Sequence, residues 1–125
     1  MKAEFLQKAA VNLNVARYCY EQSYYDAAVN CAYYASFQVA IAALADRGFT
    51  SSKNDHKWVQ ASFNGELIKR RKIYPSHLKS YLGDMLSFRK LSDYSTINLS
   101  KRVAHEQLAH AEELVAIIRK ELEHS

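Results

Sequence analysis

The stretch SFRKLSDYS, residues 87 to 95, sets Arg89, Asp93 and Tyr94 close together at the end of a helical pattern. An arginine is a permanent cation whose planar fork matches phosphate oxygens, and a carboxylate or phenol can take or give a proton. Arg89 and Asp93 also make an i,i+4 pair in the weaker orientation, arginine first, contributing a few tenths of a kcal/mol. A helix C-terminus carries partial negative charge, which disfavours Asp93 there. The placement is therefore either offset locally by Arg89 or arranged to meet a phosphorylated ligand.

A second cationic feature is KRRK, residues 69–72, next to Ile73 and Tyr74. Basic residues suit a helix C-terminus, so a solvated helix end is one reading. Phosphate contact is the other, because Lys53, Lys57, Lys79, Lys90, Lys101 and Arg102 fall in the same third of the chain. Residues 50–102 hold 11 basic and 4 acidic side chains, whereas residues 103–125 hold 2 and 5. The overall charge of +4 is thus concentrated in the middle, which favours an acidic partner such as nucleic acid. Lys57, Lys69, Arg70, Arg71, Lys72 and Lys90 are the expected contacts to such a partner.

Other constellations are less specific. HEQLAH, residues 105–110, spaces its histidines by five, not the four a zinc-protease helix needs, so the second ring turns well over a third of a turn away. These residues read as exposed polar positions, and no metal site or other cofactor is expected. Tyr24, Tyr25, Tyr33 and Tyr34 read as core tyrosines. No glycine-rich phosphate loop and no recognisable nucleophile–histidine–acid motif is present. Cys19 and Cys31 make no disulfide framework, and no signal peptide is visible, so reduced, buried thiols in a cytoplasmic protein are expected.

The 125 residues, with only 3 glycines and 1 proline, point to one all-α domain, 1–125, with a single core. Helices are expected at about 3–21, 24–45, 55–69, 77–93 and 99–122. Ser23 with Asp26 resembles a capping box, Asn54 or Asp55 can cap the third helix, and Ser76 the fourth. Residue 74 precedes Pro75, which ends the third helix. The arrangement expected is an antiparallel four-helix bundle with an additional short helix. Residues 27–45 are uncharged and long enough to span a membrane. Asn30, Tyr33, Tyr34, Ser36 and Gln38 crowd their middle, so a central buried helix is expected and no membrane. Being apolar on more sides than one bundle uses, this helix also argues for a homodimer.

Taken in order, SYYDAAVNCAYYASF, DHKWV and RKLSDYS resemble a compact branch of the HEPN superfamily, over almost the whole chain. The resemblance implies a helical bundle that usually dimerises, often with a composite site. It also implies a metal-independent endoribonuclease or its relatives, within toxin–antitoxin or antiphage systems, commonly paired with a minimal nucleotidyltransferase antitoxin. In that family an arginine steadies the scissile phosphate, and a histidine four to six residues on takes the ribose 2′-hydroxyl proton. In some pairs the nucleotidyltransferase attaches AMP to a tyrosine near that motif. Arg89 matches the arginine, but positions 93 to 96 are Asp, Tyr, Ser and Thr. A free phenol ionises near 10 and a free aspartate near 3.9, neither well placed for a general base at neutrality. His56, at the start of the third helix, is a spare candidate. Cys31 stands where this branch often has an arginine.

Three readings follow. Arg89 and Asp93 form a structural pair in a purely structural interaction bundle. Alternatively, Arg89 grips RNA, and Asp93, Tyr94 or His56 assists cleavage to 2′,3′-cyclic phosphate ends. In the third, the site binds RNA or nucleotide without certain catalysis, and Tyr94 is modified by a partner nucleotidyltransferase.

Overall fold

The computed structural model describes residues 1–96 and 98–123. The chain forms α1 (Lys2–Glu21), α2 (Tyr25–Asp46), α3 (His56–Ser62), α4 (Tyr81–Tyr94) and α5 (Lys101–Glu123). A π-helical segment, Phe63–Arg70, continues α3, and a 3-10 turn, Ser76–Ser80, leads into α4. No strand occurs among the described residues, so the all-α bundle expected from composition is the observed fold.

α2 is the central element and packs against α1, α5, α4 and α3. Ala28, Ala32, Ala35, Ala40 and Ala42 are fully buried along it, and these small side chains let neighbouring helices approach closely. α2 is long and apolar enough to cross a membrane, yet 67% of its most apolar stretch is buried inside the protein. The chain's own helices cover it, so the apolar surplus taken as a reason for dimerisation is not on α2. Exposed large apolar side chains lie instead on α1 (Val11, Val15 and Tyr18), just before α2 (Tyr24), and on α4 (Leu91 and Tyr94).

α1 and α2 run antiparallel, with Lys2 bridging to Asp46 at 2.9 Å and the Asn12 and Gln38 amides meeting at 2.8 Å. Cys19 and Cys31 lie two turns further along the same seam. Both are free; Cys19 is buried, but Cys31 only half so, and burial, then Cys19, pushes its thiol up from the ordinary value.

The caps differ in part from expectation. Asp55 caps α3, accepting the Trp58 N–H at 2.8 Å. Ser23 does not cap α2, because its φ of +64° turns the chain left-handed at the α1–α2 corner. Asp26 is drawn elsewhere and accepts the Leu99 N–H at 2.7 Å, fixing the approach to α5. Ser100 then caps α5 through the Val103 N–H at 3.1 Å. Ser76 makes no side-chain cap because the chain enters a 3-10 turn there. The third helix is α only to Ser62, and the Arg71 N–H reaches back five residues to the Glu66 carbonyl. The Ile73 N–H closes that end on the Leu67 carbonyl at 2.9 Å, with Lys72 at φ +54° where glycine is usual.

Because Ala35 has no exposed surface, Ala35→Leu is expected to overpack the α2 seam, costing about 1–3 kcal/mol by urea denaturation. Ala27→Leu, on the exposed face, is expected within about 0.5 kcal/mol of the parent.

Candidate functional site

Arg89 lies on the inner side of the last turns of α4, facing the first half of α2. Its Nε donates to Asn30 Oδ1 at 2.7 Å. The guanidinium sits over two rings, 5.0 Å from the Tyr34 centroid and 5.6 Å from that of Tyr33. Arginine over tyrosine faces is attracted by the ring quadrupole. Tyr33 is buried, edge-on to Tyr34 and stacked on Phe37 at 5.8 Å. Burial pushes its phenol up to about 12, although Arg89 opposes this, so it stays neutral and serves as a fixed shelf.

The i,i+4 partner is present but secondary: Arg89 Nε lies 3.8 Å from Asp93 Oδ2, beyond hydrogen-bond length. The two terminal nitrogens of Arg89 hold no hydrogen bond among the described residues, and the side chain retains 27% of its exposure. Arg89 is thus held at one edge by Asn30 and stacked on one face by two tyrosine rings. Tyr94 is 87% exposed, one step beyond Asp93.

A family model described as HEPN domain matches residues 3–122. The chain belongs to the HEPN domain family. No curated protein sequence matches this HEPN chain.

Within this HEPN bundle the other expected residues are dispersed. His56 and Lys57 are exposed at the start of α3 and line a shallow cleft of about 340 Å³ with Gln60, Ala61, Asn64 and Leu86. No described contact joins His56 to Arg89, although Leu86 is only three residues before it on α4. Lys90 is exposed beside Arg89. The KRRK run lies toward the other end of α2: Arg71 stacks over Phe49 at 5.0 Å, and Phe49 bonds to the Leu44 carbonyl. From Tyr34 to Leu44 is ten residues, about 15 Å of helix. The tyrosines also divide: Tyr33 is core, Tyr34 and Tyr25 are half-buried, and Tyr24 is exposed.

Two features escaped the sequence reading. Asn30, the main partner of Arg89, looked only like a polar interruption in an apolar helix. The second is a polar cluster where the 3-10 turn and α4 meet α5. Glu113 accepts from the Tyr81 hydroxyl with one oxygen, and its other oxygen lies 2.7 Å from His77 Nε2. His110 stacks on Tyr81 with centroids 4.2 Å apart. The reading of HEQLAH as uniformly exposed is therefore corrected. His105 and Glu106 are exposed, but Gln107 is buried and His110 is half-buried, stacked on Tyr81. The i,i+4 spacing of His77 and Tyr81, with the i,i+3 spacing of His110 and Glu113, is the signal that could have found the cluster.

The hydrogen bonds from Tyr81 and His77 hold the Glu113 carboxyl below its ordinary value, while burial, then the Glu113 bond, pushes Tyr81 up to about 12. A depressed carboxyl contributes stability above its unfolded pKa, and this is lost as pH falls through the folded value. The stability difference between parent and Glu113→Gln, from denaturation at a series of pH values, is expected to be largest above about pH 5 and to shrink on further acidification.

Proposed function

We propose that this HEPN-domain protein binds RNA or a nucleotide at Arg89, in a toxin–antitoxin or defence type system. In this reading it is the partner or substrate of a nucleotidyltransferase that reaches Tyr94. The observation that carries it is the state of Arg89. Nε is committed to Asn30 and one face to two tyrosine rings, leaving the terminal nitrogens without a hydrogen bond among the described residues. A guanidinium already oriented in this way loses less side-chain freedom on gripping a phosphate, which raises affinity. The neighbouring Tyr94 hydroxyl is accessible for transfer of a nucleotidyl group. The likeness in sequence of RKLSDYS to the compact HEPN branch is what brings the partner enzyme into the proposal.

A metal-independent endoribonuclease is the second reading, favoured by His56. Its cleft includes Leu86, one helical turn before Arg89, so an imidazole lies along the flank of the same helix. The contacts of Arg89 itself, however, bring in amide, phenol and carboxylate groups and no imidazole.

Purified protein incubated with single-stranded RNA in EDTA is expected to leave it intact. Arg89→Ala is expected to weaken binding by about tenfold, the loss of one charge-assisted contact, in fluorescence anisotropy. Cleavage to 2′,3′-cyclic phosphate ends that depends on Arg89 and His56 would establish the second reading instead. A homodimer in solution is part of the proposal, with the exposed Val11, Val15 and Tyr18 as its apolar contribution. Light scattering is expected to give twice the chain mass of 14.3 kDa, and Val15→Glu to lower it.

A further inference from the structure

The KRRK run does not act as one unit. Arg70 pairs with Glu66 at 3.5 Å, and Arg71 stacks over Phe49. Lys69 and Lys72 turn the other way and, with Lys79 from the 3-10 turn, line a cleft of about 430 Å³. Ile68, Tyr74, Pro75 and Ser76 complete its walls, and no carboxylate is among them. None of the three lysines has an ion-pair partner among the described residues, whereas Arg70 in the same run does.

The backbone around this cleft is unusual in two independent ways. The segment delivering Lys69 is π-helical for eight residues, a rare geometry that is frequent at functional sites. Lys72 holds φ at +54°, where a glycine would close the helix end without strain. A cation thus stands where the backbone alone favours glycine, and it shares the cleft lining with two more lysines that pair with no carboxylate among the described residues. Like charges gathered without counter-charge raise the local potential and concentrate an anion of matching charge.

We propose that this cleft is a second site, which takes phosphate groups through Lys69, Lys72 and Lys79. Its lining shares no residue with the contacts of Arg89, and the proposal does not depend on the reading of that site. The ligand chemistry is the phosphate oxyanion, supplied by an RNA backbone or by a free oligophosphate.

The test measures the salt dependence of binding to single-stranded RNA for the parent, the triple variant Lys69→Gln/Lys72→Gly/Lys79→Gln, Arg89→Ala, and a control, Lys8→Gln/Arg119→Gln/Lys120→Gln. Each phosphate contact to a single strand contributes about 0.7 to the slope of log affinity against log salt, so the triple variant is expected to lose about 2. Lys72→Gly alone is expected to lose about 0.7 while melting no lower than the parent, which separates lost charge from lost fold. Sodium tripolyphosphate as competitor distinguishes the sources. Binding to the parent but not to the triple variant assigns the cleft to free oligophosphate, and a loss confined to RNA assigns it to the phosphodiester backbone. An unchanged slope in the triple variant with no loss of tripolyphosphate binding, or an equal effect in the control, overturns the proposal. If Arg89→Ala leaves RNA binding untouched while the triple variant reduces it, the cleft stands and the Arg89 reading fails.

Discussion

The hydrogen bond from Arg89 Nε to Asn30 Oδ1 is the contact on which the placing of the last turns of α4 depends. Asn30 sits in the uncharged run of α2, where an amide without a partner would cost free energy. Arg89 supplies that partner and takes from α2 a shelf of two tyrosine rings. Each group makes the other's position tolerable, so the last turns of α4 are held against the first half of α2. The exposed Asp93 and Tyr94 inherit their location from this one attachment.

Other polar contacts fix the remaining helix ends in the same manner. Glu113 gathers His77 and Tyr81, tying the start of α4 to α5. Asp26 accepts from the backbone of Leu99 and so sets where α5 begins. α4 is therefore anchored at its start to α5 and near its end to α2, by different chemistry at each. Between these anchors the core is apolar and tightly filled, with Met85, Leu114 and Ile118 without exposed surface. The hydrophobic interior supplies bulk cohesion, and the polar contacts decide which surface groups meet.

The helices were legible in the sequence because glycine and proline are few, α5 has a strong apolar periodicity and α2 is a long run without charge. Of the stripe Val103, Leu108, Ala111, Leu114, Val115, Ile118 and Leu122, all but the half-buried Val103 are buried on α5 as spacing implies. What local pattern could not carry was pairing across helices. Asn30 and Arg89 are 59 residues apart, and His77 and Glu113 are 36 apart. Ser23 failed as a cap because the corner takes a left-handed turn that pattern alone does not encode. The π geometry of residues 63–70 was equally hidden, since its residue types suit an α-helix as well. Arg89 and the RKLSDYS motif were visible early because arginine so close to a helix end, among acid and phenol groups, is a local feature.

The central claim is that Arg89 is held by the protein at Nε and offers a ligand its terminal nitrogens, which hold no hydrogen bond among the described residues. Nuclear magnetic resonance of the arginine Nε–H groups tests it directly, with Arg89 assigned by comparison with Arg89→Lys. The account predicts a sharp Arg89 Nε–H signal, slow to exchange with solvent in the free protein, that shifts as short single-stranded RNA is added. A signal that exchanges as fast as those of solvent-exposed arginines, or that stays still while other arginines respond to RNA, would contradict it.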